Sequence, residues 1–190
     1  MKEYSPQQIA DMLKQLESEP MFRMAIIMLA ATGIRRSELL ALTWRSIDMD
    51  KCRVHIDKAV ILGENGAEIS DTKSEKSRRT IYLSPFVMSE IKRYRACDNF
   101  ILGSYIFNNK GKIYRPDDFS VALARRIGEP IRLHDLRHSF ASRLVRGGVN
   151  IKVLQELLGH SDIRLTLDTY SHVLDEEKQA AAKVAADIFG

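Results

Sequence analysis

The chain has 190 residues, long enough for one substantial core, and carries 29 lysines and arginines against 25 aspartates and glutamates; its net charge of +4 permits a polyanionic partner without requiring one. Its longest apolar run, Met24 to Ala31, is far too short to cross a bilayer, and the amino terminus shows no basic, apolar and cleavage-site order, so neither a membrane span nor a secretory leader is expected and the location expected is cytoplasmic. Cys52 and Cys97 sit in no metal-ligand spacing and are expected to fill apolar space as thiols, which suits a reducing compartment.

Ser5, Pro6 and Gln8 predict a helix start, with a hydroxyl to cap free amides, a ring suited to the first turn and an amide to close a capping box; this helix should run to about Glu17. Met21 to Thr32 is a nearly continuous apolar helix stopped by Gly33. Helix resumes from Arg36 to Leu42 with Leu39 and Leu40 inward, which places Arg35 at a helix junction, and Trp44 follows in a segment that should pack. From Arg53 to Leu83 the pattern changes to short β-rich runs, Val54 to Ile56, Ala59 to Leu62 and Arg79 to Leu83, broken by Gly63-Glu64-Asn65-Gly66, and a small antiparallel sheet is expected. Ser84-Pro85 opens a helix to about Ala96, Tyr105 to Phe107 is a candidate strand, and Pro116 to about Ile127 is helical. His134 to Val145 forms a helix with Leu136, Phe140 and Leu144 on one stripe, ended by Gly147-Gly148; Asn150 caps the next, which Gly159 closes. A further helix covers about Ile163 to Thr169, and Asp175 caps an alanine-rich one that reaches the end. The class is α+β, mainly α-helical with a small antiparallel β-sheet.

Three motifs stand in order near the end of the chain: His134-Asp135-Leu136-Arg137-His138, Leu157-Leu158-Gly159-His160-Ser161 and Asp168-Thr169-Tyr170. Upstream come Thr32-Gly33-Ile34-Arg35 and Lys73, the latter ahead of a basic Ser77-Arg78-Arg79 run. Three apart on a helix, His134 and Arg137 project from neighbouring positions on one face, so both can address one phosphate. A planar guanidinium grips two phosphate oxygens at once, and Arg35 supplies a second such fork. Glu38, three residues after Arg35, is expected to hold that guanidinium in an ion pair. No carboxylate cluster of the kind a two-metal nuclease requires is present, and no metal or other cofactor is expected. Tyr170 is the natural nucleophile, but an ordinary phenol titrates near ~10 and needs a base or local positive charge.

These ordered residues make the chain resemble the catalytic domain of the tyrosine recombinases, the integrase family of DNA breaking and rejoining enzymes, over nearly its whole length. The resemblance implies a domain spanning 1–190, with the family's amino-terminal core-binding and arm-binding domains absent from this chain. It also implies the catalytic roles. Arg35, Lys73, His134, Arg137 and His160 match the activating positions, and Tyr170 matches the tyrosine that forms a 3′-phosphotyrosyl link. His134 would be the general base for cleavage, His160 a hydrogen-bond donor to a non-bridging oxygen, and Lys73, with Lys76 its nearest rival, the acid that protonates the departing 5′ oxygen. Tyr170 lies ten residues beyond His160 and is followed by Ser171-His172-Val173, which is similar to phage and conjugative-transposon integrases.

The partners implied are double-stranded DNA, other protomers in a tetramer on that DNA in the full-length protein, and an accessory excision factor. A type IB topoisomerase-like relaxase and a non-catalytic DNA-binding module are the alternatives. Taken singly, His134 and His160 would be ordinary structural histidines and Tyr170 a core residue; their order and company argue otherwise. His138 should pack and His172 should be exposed. Arg78, Arg79, Lys110, Lys112, Arg115, Arg125, Arg126, Arg143, Arg146, Lys152 and Arg164 are candidates for phosphate contact, of which about half are expected to reach DNA. The final helix carries more apolar surface than a tail needs and is expected to dock on its own domain or on a neighbouring protomer.

Overall fold

Ser5 accepts a hydrogen bond from the Gln8 amide at 3.1 Å while Gln8 Oε1 accepts from the Ser5 amide at 2.8 Å, so the capping box starts helix α1 (Pro6–Gln15) as the sequence predicts. The computed structural model describes residues 3–64, 66–71, 77–97, 104–160, 162–164, 166–167, 169–171 and 173. Helix α2 (Pro20–Thr32) is apolar on every side because it lies at the centre, packed against α1, α4 (Pro85–Cys97) and α6 (Leu133–Arg146). It ends at Gly33, whose left-handed φ of 62° turns the chain through Ile34 and Arg35 into α3 (Arg36–Ala41). Trp44 is buried and stacks on Tyr94 at 5.8 Å.

The expected antiparallel sheet divides in two. Strands β1 (Ile47–Asp48), β2 (Arg53–Ile56) and β5 (Arg79–Tyr82) form one sheet in the order β1-β2-β5, with Val54 opposite Ile81. Strands β3 (Lys58–Gly63) and β4 (Gly66–Asp71) form a separate hairpin that packs its base on α3. Strand β4 carries little strand propensity of its own, and its pairing with the Val60-rich β3 imposes the conformation. The run from Tyr105 to Phe107 gives only one bridge, between Tyr105 and Thr43; the true pair lies just beyond, β6 (Asn108–Asn109) with β7 (Lys112–Ile113). Helix α5 (Pro116–Ile127) covers α1, and its Phe119 stacks on Phe22 at 5.4 Å.

Helix α6 departs from the single stripe expected of it. Leu136 is fully buried, but Phe140 and Leu144 are only half-buried, whereas Asp135, Arg137, His138, Ser139 and Ser142 are all buried. The helix is therefore enclosed on several sides, partly by the chain's amino end: the Tyr4 amide donates to Ser139 Oγ at 2.8 Å and Arg143 donates to Tyr4 O at 2.5 Å. Asn150 caps α7 (Ile151–Leu158) through its bond from the Lys152 amide, and the described residues between 163 and 173 are helical. Ala141, Val145, Leu154, Leu158, Tyr170 and Val173 make a small second core between these elements. Cys52 and Cys97 are free thiols as expected, but both are exposed, because Cys52 lies in the turn between β1 and β2 and Cys97 is the last residue of α4. The helix expected from Asp175, and His172, fall outside the described residues. Among the described residues no helix is long and apolar enough to cross a membrane.

Gly33 is a tight point of this packing. A Cβ there would lie 2.4 Å from Phe140 Cδ1 and 3.3 Å from Leu158 Cδ2, on a backbone at φ 62°. Gly33→Ala should combine left-handed strain with overpacking and cost about 3 kcal/mol, measured as a lowered urea midpoint with an unchanged slope.

Candidate active site

A helix leaves its last carbonyls without intrahelical partners, and they form the negative end of its dipole. At the end of α7, three successive carbonyls each receive a guanidinium from a different part of the chain. Leu157 O accepts from Arg79 Nε at 2.7 Å, Leu158 O from Arg137 Nη2 at 2.6 Å, and Gly159 O from Arg35 Nη2 at 3.0 Å. Arg137 has a second anchor, Nη1 to Gly33 O at 2.6 Å, so it spans the carboxyl ends of α2 and α7. With 3% exposure it is buried, whereas His134, three residues earlier, is exposed.

One carboxylate organises two of these cations. Glu38, 2% exposed, accepts from Arg35 Nη1 at 2.8 Å and, through its other oxygen, from the Arg35 amide at 2.9 Å. Arg79 grips the same carboxylate with both prongs, Nη1 to Oε1 at 3.0 Å and Nη2 to Oε2 at 2.7 Å. The ion pair expected between Arg35 and Glu38 is thus present, but Arg79 is misplaced by the sequence reading: its side chain is 6% exposed and spent on protein acceptors instead of standing free at the surface. The signal available was its place on the inward register of β5, beside the buried Ile81. Other expected surface cations are also engaged within the protein. Arg146 pairs with Glu3, Arg164 with Asp162 and Arg78 with Asp71, while Arg126 lies over the Phe22 ring.

Three guanidiniums around the Glu38 carboxylate leave positive charge in excess, and Glu38, Arg137, His160 and His134 are shifted. Burial alone would raise the Glu38 carboxyl, but the Arg79 hydrogen bonds and the charges of Arg79 and Arg35 overcome this and hold it at about 2. Burial, with repulsion from Arg35 and Arg79, pulls Arg137 down to about 9. Burial together with Arg137, Arg35, Arg79 and His134 pushes His160 down to about 4, so its imidazole is neutral at pH 7. His134 is lowered by burial and by Arg137, against the opposing pull of Asp135.

Arg35, His134 and Arg137 line one cleft of about 640 Å³, with Arg36, Ser120 and Arg132 on its walls. His160 lines a second cleft of about 700 Å³ with Arg79, and its Nδ1 lies 2.9 Å from the Thr166 hydroxyl. Tyr170 lines neither cleft. It is 3% exposed in the small second core and stacks on His138 at 5.1 Å with 18° between the rings, which also places His138 in packing as expected. Burial raises its phenol, Arg137 lowers it in part and Glu3 raises it. Lys73 and Lys76 lie outside the described residues. A cleft with two buried-rooted guanidiniums, an exposed imidazole and a neutral one alongside is suited to a tetrahedral oxyanion such as a phosphodiester.

The phage integrase family model matches residues 2–177 of the chain. A tyrosine recombinase XerC-like protein of Caldanaerobacter subterraneus subsp. tengcongensis is 31% identical over 192 residues, covering 87% of this chain and 49% of that protein. The ICEBs1 integrase of Bacillus subtilis is 25% identical over 199 residues, covering 97% of this chain and 54% of that protein. The chain therefore spans about half the length of these relatives. In fold, it is similar to the Tn1549 transposon integrase in complex with transposon right end DNA, with a TM-score of 0.82 at 24% identity over 97% of this chain and 66% of that one. The XerA recombinase gives a TM-score of 0.73 at 19% identity, covering 95% and 63%.

The Glu38 carboxyl has a pH signature. Its folded value lies below the ordinary 4.5, so its contribution to stability is complete above that pH and lost as pH falls toward about 2. By linkage the amount is on the order of 3 kcal/mol. Urea unfolding across this window should show the advantage of the parent over Glu38→Gln shrinking by that amount; an advantage that does not change with pH would contradict the charge pairing.

Proposed function

The chain belongs to the phage integrase family, and from that membership we propose that it is the catalytic domain of a site-specific recombinase that cuts and rejoins double-stranded DNA through a 3′-phosphotyrosyl intermediate. The observation that carries this reading is the convergence of Arg35 and Arg137, 102 positions apart in the chain by their numbers, on adjacent carbonyls at the end of α7. Each guanidinium has five N–H donors and uses only some of them on the protein, which leaves donors for the non-bridging oxygens of one phosphate.

In the proposed reaction Tyr170 Oη attacks the phosphorus, the bond to the 5′ oxygen breaks, and the phosphate passes to the phenol as a 3′ ester. His134 takes the phenolic proton. Lys73 gives one to the departing 5′ oxygen. Arg35 and Arg137 meet the charge that builds on the pentacoordinate phosphorus, which supplies what a metal would otherwise supply. His160, neutral and with Nδ1 on Thr166, offers Nε2 as a donor when the threonine hydroxyl gives its hydrogen to Nδ1. Religation reverses these steps with a new 5′ hydroxyl. It needs no nucleotide, because the tyrosyl ester conserves the phosphodiester energy. Tyr170 must leave its stack on His138 to reach the cleft, so engagement of DNA and ordering of the nucleophile are one event in this scheme. The full-length protein is proposed to act in the cytoplasm as a tetramer on DNA, with an accessory excision factor.

The test is to incubate the chain at low salt with a pool of nicked duplexes carrying randomised half-sites, and to look for DNA that stays with the protein in SDS. A covalent adduct is expected, absent with Tyr170→Phe, and formed ~10²–10³-fold more slowly with Arg137→Ala. No adduct from the parent chain would favour a binding module. An adduct that persists in Tyr170→Phe would remove the nucleophile assignment, and relaxation of any supercoiled plasmid regardless of sequence would favour a topoisomerase.

A further inference from the structure

We infer that Arg79 is a positioning residue for the cleft: it fixes the Glu38 carboxylate, and through it the Arg35 guanidinium, without meeting the substrate itself. This inference rests on the proposed phosphoryl-transfer reading for its consequence in rate, but its geometry stands separately.

The argument begins with what Arg79 has left to offer. Nε donates to Leu157 O, Nη1 to both Glu38 Oε1 and Ser77 O at 3.2 Å, and Nη2 to Glu38 Oε2. Four of its five N–H groups are therefore committed to protein acceptors, and the side chain is 6% exposed. Although Arg79 borders the cleft that holds His160, a phosphate there has at most one N–H to take from it. Arg35 differs: its side chain is 36% exposed, and it lines the cleft beside His134.

A long side chain at a non-helical junction pays rotamer entropy to be held in one place, so an exposed arginine is ordinarily mobile. The hold on Arg35 comes from Gly159 O and Glu38, and each Glu38 oxygen takes one bond from Arg35 and one from the Arg79 fork, so Arg79 is what ties that carboxylate to a part of the chain other than the arginine it holds. Without Arg79 the carboxylate would be bonded only to Arg35 among the described residues, and the pair could shift together relative to β5 and α7. The fit of Arg79 is also built into its surroundings. A Cβ on Gly159 would lie 2.9 Å from Arg79 Nη1 and 3.3 Å from its Cζ, so the absence of a side chain at the end of α7 is what lets the guanidinium in. Lysine in place of Arg79 would keep the charge and lose the planar fork.

Two readouts test this. In protein labelled with 15N-arginine, the Arg35 Nη signals should be separate in the parent chain, because rotation about Nε–Cζ is restrained, and should merge in Arg79→Gln. In the nicked-duplex assay Arg79→Gln should form adduct ~10²-fold more slowly. Adding it to Arg35→Gln should cost no more than about 2-fold, because a residue acting through Arg35 has nothing further to lose once Arg35 is gone. A merely structural role predicts losses that multiply, and Arg35 signals that stay separate would overturn the inference. Arg79→Lys guards against a variant that fails to fold: it should retain the melting profile, merge the Arg35 signals and slow the adduct ~10-fold, and a parental rate with separate signals would again refute the role. If the parent chain forms no adduct, the proposed function fails and the spectroscopic arm still decides this one.

Discussion

The carboxyl end of α7 is where the fold and the site become one object. Three carbonyls in a row, on Leu157, Leu158 and Gly159, take guanidiniums from β5, α6 and the loop before α3. These segments are remote in sequence, and apolar packing between them is non-directional and does not fix a side chain to a fraction of an ångström. Hydrogen bonds from rigid planar forks do. Arg137 makes the point most clearly, since its two anchors are the ends of two helices, α2 and α7, and any relative slide of those helices would break one of them.

The same arrangement sets the electrostatics. A buried charge is costly unless it is paired and hydrogen-bonded. Glu38 meets both conditions with Arg79 and Arg35, but among the described residues Arg137 bonds to neutral carbonyls at the negative ends of two helix dipoles. The molecule therefore holds positive charge that its own carboxylates do not neutralise, at a place where an anion can enter from the cleft. The depressed value of His160 measures that excess from a second position: protonating it would add one more cation to the group. An anion in the cleft would offset part of that repulsion, so the same imidazole would become easier to protonate with a phosphate bound.

Much of the fold was legible from local chemistry. The capping box at Ser5, the stop at Gly33, the cap at Asn150 and the stop at Gly159 are short-range signals that depend on a few backbone angles, and each appears where the residues place it. What was not legible depends on partners far along the chain. Strand β4 exists because β3 offers it a ladder, and the many-sided burial of α6 follows from Tyr4 and its neighbours folding over it. The ion pair between Arg35 and Glu38 could be read because it spans three residues. The grip of Arg79 on that carboxylate spans 41, and nothing in a basic Ser77-Arg78-Arg79 run distinguishes the buried arginine from its exposed neighbour except strand register. The leucine-leucine-glycine-histidine segment could be matched as a pattern, but its physical content, a row of acceptor carbonyls ending in a residue without a side chain, is visible only in three dimensions.

Tyr170 shows why proximity in a motif and readiness for chemistry differ. Stacked on His138 and packed with Val145, Leu154 and Leu158, the phenol is held by apolar contact, and burial raises its titration point. In the proposed reaction, a phenol kept protonated and out of the cleft is poorly placed to attack water-borne phosphates at random. Of the groups that act on it, Arg137 favours the phenolate and Glu3 opposes it. Movement toward the cleft would exchange desolvation and Glu3 for the field of Arg137 and Arg35, so the displacement that brings the oxygen to phosphorus also lowers the cost of its ionisation. In the proposed reaction, that coupling would confine the reactive phenolate to the moment when DNA occupies the site.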